Sequence, residues 1–410
     1  MIPIDEARSL LAGAVKPLAP VSVDLRSALG CRLSSAVRSD VNVPPADVSA
    51  MDGYAVRHAD LAAGRPLPVF AEVAAGDTGS ELAPGAVARI FTGAPLPLGA
   101  DTVVPQEHVE TGGDGRVTLE PCIRGAHVRR RGEVVTAGAE IFAAGAWVTP
   151  QMLSVMASCG ASRIDVVPAP SVAVVVTGAE IVDAATTPEP YQIRDSNGPL
   201  LTALAAAARF EISCSARAAD TKEALHEALS RAVADADLVL TTGGVSVGDY
   251  DLVPDIVAEL GGEVLFHRVR IKPGKPLLAA RIGSKLLLGL PGNPLAVLAG
   301  WRLFAWPAAA ALAGDDEAFS ETPVEAGLGH PAATPANRTE LRPAFLRAAV
   351  GGPSVELIGW RGSHDVSAAA RANALARFDP ECEYPEGSRI PCYPLSTADP
   401  RPGKGWRSPS

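Results

Sequence analysis

Three shortages in this sequence exclude whole classes of protein. Basic residues are outnumbered: 36 Lys and Arg stand against 46 Asp and Glu in 410 residues, a formal net charge of −10. Broad binding of nucleic acid or anionic membrane favours a basic face, so neither is expected, and any anionic ligand must be met by a local cluster of basic side chains. Cysteine is sparse and scattered. Cys31, Cys122, Cys159, Cys214, Cys382 and Cys392 make no CxxC pair and no Cys/His cluster, which argues against a zinc site or a disulfide framework and for a reducing cytoplasm. Uninterrupted apolar runs are missing too. The N-terminus carries Asp5, Glu6 and Arg8, so no signal peptide is expected, and the nearest approach to a membrane span, residues 294–313, is broken by Arg302 and Pro307. That run reads as a buried helix.

With 47% hydrophobic and 20% charged residues, the chain can bury large cores and is too long for one ordinary domain, so three or four are expected. Residues 1–43 open with a helical pattern over 4–11 and a second over 25–33. Residues 44–140 are rich in Gly and Pro between short strand-like runs at 54–56, 87–91 and 102–104, which suggests a β domain inserted into the first. A helix over 149–160, with Pro150 in its first turn, and a strand over 163–167 bring residues 141–168 back to the first domain.

From 169 to 314 strands and helices alternate. Residues 172–176 form a continuous β-branched run, as in a buried parallel strand. Asp195, Ser196 and Asn197 cap a helix running from Pro199 to Arg209, a strand follows over 211–215, and Asp220 with Glu223 caps a helix over 222–234. Strand 238–242, a helix to Leu260, strand 264–269, paired strands 277–281 and 286–290, and a long helix from Pro294 complete a doubly wound α/β domain. Ligands of such domains collect at the carboxyl ends of the strands. A polar linker over 315–322 leads to a small C-terminal β domain, residues 323–395, with strands at 345–350 and 355–358 and a helix-like run at 368–376. Residues 396–410, with Pro400, Pro402, Gly403 and Gly405, read as a disordered tail.

The chain is organised around residues 238–251. An apolar strand stops at Gly243 and Gly244, and Ser246, Asp249 and Asp251 follow before a helix starts. Glycines there allow close approach of backbone N–H groups, and a helix start favours an anion, so the added carboxylates suggest a phosphate-plus-metal site. Three further loops fall at strand ends. Glu180 fits a general base, a holder of a substrate amine or a plain helix cap equally well. Lys272 and Lys275 flank a Pro-Gly turn that aims two cations from one loop. Pro291, Gly292 and Asn293 precede a Pro-started helix with free N–H groups, although a plain turn fits nearly as well. Convergence of the four loops is what favours a pocket. In the β insertion, Asp52 before a strand fits a hairpin turn and the run Arg129–Arg131 a solvated face.

The segments PPADVSAMDGYAV, AGD, IFTGAPLPLGAD, RRRGE, VTGAEI, RDSNGPLL, TTGGVSVGDYD, IKPGKP and LPGNP occur in the order seen in the MoeA/gephyrin-type molybdopterin molybdenumtransferases. The chain resembles that family from about Ile2 to Leu395. The resemblance implies subunits of four domains: an elongated N-terminal domain (1–43 and 141–168), the inserted β domain, the α/β molybdopterin-binding domain and the C-terminal β domain. It also implies a cytoplasmic homodimer that inserts molybdenum from molybdate into adenylylated molybdopterin and releases AMP, with magnesium (Mg2+) as the divalent ion. Other molybdenum-cofactor proteins are possible partners.

Carried over by motif, Asp52, Glu180, Asp251, Lys272 and Lys275 would be catalytic. Gly243, Gly244 and Ser246 would hold phosphates, and Asp249 and Asp251 the metal. Asp195, Ser196, Asn197, Pro291, Gly292 and Asn293 would line the nucleotide and pterin side. Asp52, Thr92 and Arg131 would come from the partner subunit, while Ser246, Lys275, Arg342 and Ser363 would meet molybdate. The chain departs from the family pattern at Val134 and Ala179, each in place of an Asp, and at Leu295-Ala296, in place of Val-Ser. These departures keep open a paralogue with reduced catalysis that acts as a gephyrin-like dimeric scaffold. An adenylyltransferase would need only the α/β domain.

Overall fold

A computed structural model describes residues 1–78, 81–244, 252–320, 322–334 and 337–395. The chain divides into two compact units. One takes Ser22–Leu29 and Ser35–Ile164; the other takes Met1–Val21, Gly30–Ser34 and the described residues of 165–395.

The first of these units is built on a six-stranded sheet. Its strands are Gly53–Val56, Leu67–Val73, Val87–Ile90, Thr102–Pro105, Val109–Thr111 and Arg116–Leu119. Successive side chains of a strand point to opposite faces, and here each face has its own core: Tyr54 and Val56 join Leu67, Val104 and Val117 on one, whereas Ala55 joins Val73, Ile90 and Val103 on the other. The helix Pro150–Ser158 starts as its sequence indicates, with Pro at the first turn and the Thr149 hydroxyl accepting the Met152 N–H.

The second unit carries the α/β sheet. Its strands are β1 (Ser171–Thr177), β2 (Glu211–Ala218), β3 (Leu238–Thr242), β4 (Glu263–His267), β6 (Leu278–Ile282) and β7 (Lys285–Leu290); β5 (Ile271–Lys272) leaves to join a different sheet. The order is β2-β1-β3-β7-β6-β4. The first four are mutually parallel, β6 pairs antiparallel with β7, and β4 pairs antiparallel with β6 at the far edge. The doubly wound part is therefore the parallel part of a mixed sheet. Leu238 and Leu240 enter one apolar core and Val239 the other, which is why this strand reads as an unbroken apolar run. Helices α1 (Asn197–Ala207), α2 (Lys222–Asp235), α3 (Leu252–Glu259) and α4 (Pro294–Gly300) follow β1, β2, β3 and β7.

Helix α4 continues through a π-helical turn, Trp301–Ala305, into Trp306–Leu312. The span Pro294–Leu312 is apolar enough to cross a membrane, but 89% of that stretch is buried inside the protein. Arg302, only 3% exposed, is accommodated because its Nε donates to the Pro394 carbonyl at 2.6 Å and its guanidinium lies over the rings of Trp306 and Tyr393.

The last strands are β8 (Val324–Leu328), β9 (Thr339–Arg347), β10 (Ser354–Leu357), β11 (Ala374–Phe378) and β12 (Arg389–Pro394). Pairing in the order β9-β10-β8-β12-β11, with β11 returning to β9, closes a barrel around Leu328, Val355, Phe378 and Ile390. Strand β5 adds to it through β9.

Several expectations need correction. The second helix at 25–33 does not form: Asp24 accepts the N–H groups of Arg26 and Ser27, an Asx turn that competes with helix, and Arg32–Leu33 is a short strand. Helix α1 starts at Asn197, two residues ahead of Pro199, and its cap bond runs from the Gly198 N–H to Asp195. Thr221, not Asp220, caps α2. Asp315 is no solvated linker residue, since it is buried against Arg32 at 2.6 Å. The strand expected at 345–350 lies over β9 instead. The helix expected at 368–376 is Val366–Arg371, because Ala374, Leu375, Ala376 and Phe378 are claimed by the barrel as strand β11.

Candidate active site

The carboxyl end of β3 is held tightly. Gly243 and Gly244 have positive φ, 88° and 64°, and any side chain on Gly243 would collide with the Thr177 carbonyl at the end of β1. The predicted phosphate and metal residues Ser246, Asp249 and Asp251 lie outside the described residues. Next to the glycines, Asn197 is buried and its Nδ2 donates to the Gly292 carbonyl at 2.6 Å, joining the start of α1 to the loop after β7. Among the described residues the Asn197 Oδ1 is buried without a hydrogen-bond partner. Ser196 is exposed and makes no cap bond.

Glu180 is exposed and does not cap a helix; its carbonyl accepts the Ile193 N–H at 2.8 Å beside the two-residue ladder of Ile181–Val182 with Ile193–Arg194. A cavity of about 670 Å³ adjoins this ladder, lined by Gly178, Ala179, Asp183, Arg217 and Asp220 among others.

A second cavity, about 580 Å³, brings together the largest share of the predicted site. Lys272, Lys275, Pro291, Asn293, Arg342 and Ser363 all line it. So do Arg338, Glu340 and Trp360, which sequence reasoning missed. The signal was partly present, because Glu340 and Arg342 alternate on β9 and so share a face, with Arg338 just ahead of that strand. Four cations and one carboxylate thus line the cavity, and two of the cations hold the carboxylate. Glu340 Oε1 lies 2.9 Å from Lys272 Nζ, and its Oε2 accepts from Arg342 Nη2 at 2.6 Å and Nε at 3.0 Å. Burial alone would push the Glu340 carboxyl up, but the hydrogen bonds and charges of Lys272 and Arg342 outweigh it and hold the group below its ordinary value. Among the described residues the Lys275 ammonium makes no hydrogen bond or ion pair.

The remaining predicted residues sit in the other unit. Asp52 accepts from the Thr92 N–H at 2.7 Å and from its hydroxyl at 2.9 Å, and the backbone bond first, then the hydroxyl, hold its carboxyl below the ordinary value. The Arg run is not simply a solvated face: Arg130 pairs with Asp47 at 2.6 Å and the Arg131 N–H donates to the same carboxylate at 2.8 Å, leaving the Arg131 guanidinium exposed. Val134 and Ala179 are both exposed. Among the described residues no group of three or more His, Cys, Asp or Glu could hold a metal ion.

A parallel α/β sheet with a cation-lined cavity beyond its strand ends defines a class, that of proteins holding an anionic small molecule at the carboxyl edge of the sheet. Comparison with known proteins narrows it. Residues 2–160 match the MoeA N-terminal region (domain I and II), residues 173–311 a probable molybdopterin binding domain, and residues 325–395 the MoeA C-terminal region (domain IV). Molybdopterin molybdenumtransferase 2 of Mycobacterium tuberculosis is 33% identical over 96% of this chain and 99% of its own. Molybdopterin molybdenumtransferase of Staphylococcus aureus is 32% identical over 95% and 92%. The crystal structure of the molybdopterin biosynthesis MoeA protein from Pyrococcus horikoshii superposes with a TM-score of 0.82 at 28% identity, covering 96% of this chain and 99% of that one. The chain belongs to the MoeA family of molybdopterin molybdenumtransferases.

Proposed function

We propose that this protein is a molybdopterin molybdenumtransferase, inserting molybdenum from molybdate into adenylylated molybdopterin with release of AMP. The observation that carries this reading is the cavity lined by Lys272, Lys275, Arg338 and Arg342, in a chain that resembles named molybdopterin molybdenumtransferases over nearly its whole length. Tetrahedral oxyanions are held by convergent N–H donors and cations, and preorganised charge stabilises what develops on a phosphate as it is cleaved. Lys275, Arg342 and Ser363, with Ser246, would hold molybdate, and Lys272, on the same cavity, would meet both molybdate and phosphate. Backbone N–H groups at Gly244 and Gly292 would receive the phosphates, with Gly243, whose N–H donates to the Leu290 carbonyl at 3.3 Å, shaping the turn beside them; Asp195, Ser196, Asn197, Pro291 and Asn293 would receive the nucleotide and pterin. Glu180 would serve as the base.

Magnesium at Asp249 and Asp251 belongs to the same proposal, but both lie outside the described residues and the described donors form no metal-holding group, so the described residues give it no fit. We also propose the division into domains 1–43 with 141–168, 44–140, 169–314 and 323–395, a cytoplasmic location, and a homodimer to which a second subunit contributes Asp52, Thr92 and Arg131. Neither Val134 nor Ala179, both exposed, disturbs the described geometry, and no observation favours the scaffold reading. The test is release of AMP from adenylylated molybdopterin by the purified protein. It should require molybdate and a divalent ion, and no release under those conditions would overturn the reading.

A further inference from the structure

Glu340 lies behind the cations of the cavity rather than among them. Its side chain is 4% exposed, whereas those of Arg342 and Lys272 are 17% and 42% exposed. The backbone explains the arrangement. Lys272 on β5 stands directly opposite Glu340 on β9 in a parallel pair, and Arg342, two residues along β9, presents the same face. One carboxylate therefore reaches both cations, one oxygen to each. Arg342 is fixed further by donating to the Ala333 carbonyl at 2.7 Å and by lying 4.8 Å over the Phe378 ring. Two neighbouring cations would otherwise repel and splay apart, and Glu340 offsets that repulsion while leaving Lys275 and Arg338 to keep the cavity positive.

We infer that Glu340 is a positioning residue, a buried carboxylate that sets the spacing and direction of Lys272 and Arg342 for an incoming oxyanion without touching it. The division of labour follows: Lys272 and Arg342 form a preset fork, and Lys275 is the cation free to move with the anion. The inference rests on the insertase reading for what the anion is. A competing explanation is that Glu340 only fastens the β5 loop to the barrel, in which case its loss would lower stability and nothing else.

The experiment uses full-length protein, with calorimetric titration of molybdate alone and AMP release as separate readouts. Replacement of Glu340 by Gln keeps the shape but cannot accept from both cations. In wild type, K272M should weaken molybdate binding about fivefold or more; in the E340Q background the same change should cost about twofold or less, because Lys272 is no longer aimed. At saturating molybdate, E340Q should release AMP about tenfold or more slowly while its molybdate KM moves by about threefold or less, the signature of misplaced groups. E340D, which keeps the charge, should recover part of that rate and stands in if E340Q does not fold, with the same loss of coupling to K272M on a smaller scale. Additive effects of K272M and the Glu340 change on molybdate affinity, or an unchanged rate with only a lower melting temperature, would overturn the inference. Wild-type protein that binds molybdate but releases no AMP would instead sink the insertase reading, and the binding cycle would still judge Glu340.

Discussion

The side-chain amide of Asn197 donates to the Gly292 carbonyl across 2.6 Å, so the start of α1 and the loop after β7 are one rigid piece although they are far apart in sequence. The bond is part-buried, with Asn197 buried and Gly292 exposed, so its loss costs about 0.5–1.5 kcal/mol. Asn197→Asp, which cannot donate when ionised, should lower the urea-unfolding free energy by that amount and raise the KM for adenylylated molybdopterin about tenfold. Equal unfolding curves for the two proteins would show that the bond does not matter.

Arg32 and Asp315 form an ion pair at 2.6 Å with side chains 10% and 1% exposed. Removing one member deprives a buried charge of its nearest partner, although Arg32 keeps Asp316 at 4.0 Å; breaking a buried pair typically costs about 3–5 kcal/mol, whereas replacing both with apolar residues of similar size is often near neutral. Asp315→Ala should therefore destabilise strongly in chemical denaturation. The double change Arg32→Met with Asp315→Leu should recover most of the loss, and additive penalties would refute the pairing as the cause.

Asp365 caps the helix Val366–Arg371. The Ser367 hydroxyl, then the N–H groups of Ala368, Arg361 and Ser367, hold its carboxyl down to about 2 against a weak opposing effect of burial. A folded value below the unfolded one means that the carboxylate stabilises the fold above the ordinary carboxylate range and that this contribution is lost as pH falls toward about 2. Melting temperatures of wild type and Asp365→Ala should differ by a constant amount above about pH 5 and converge as the pH drops. A gap that persists at pH 2 would rule out the charged cap as its source.

What the sequence made legible, and what it hid, follows from where partners lie. Strand β3 was readable because both its faces are covered, leaving Leu238, Val239 and Leu240 followed by the β-branched Thr241 and Thr242, and the loops at Gly243 and Pro291 carry turn chemistry in their own residues. The turn after Asp24 was misread because a single Asx side chain outcompetes a helical pattern. Residues 374–378 have the alanine-rich look of a helix, and only the barrel partners on β9 and β12 make them a strand. Glu340 carried one local sign, its partner Arg342 two residues along the same strand, but its other partner, Lys272, sits on another strand of a shared sheet and nothing local marks it.

The positive φ of Gly243 and its proximity to Thr177 make separable contributions to stability, and its neighbour supplies the comparison. Both glycines have left-handed backbones, so alanine at either pays the same conformational cost of about 1–2 kcal/mol. A Cβ at Gly244 would meet nothing nearer than 3.4 Å, whereas one at Gly243 would run into the Thr177 carbonyl oxygen, part of the backbone and unable to rotate away. The ends of β1 and β3 must then move apart, which also draws the N–H groups of this turn away from a bound phosphate. Gly244→Ala should lower the unfolding free energy by about 1–2 kcal/mol and leave AMP release within about threefold of wild type. Gly243→Ala should cost at least about twice as much stability and slow AMP release about a hundredfold, the usual consequence of shifting a binding group by about 1 Å. If the two alanine variants behave alike in denaturation and in AMP release, close packing against Thr177 is not what demands a glycine there.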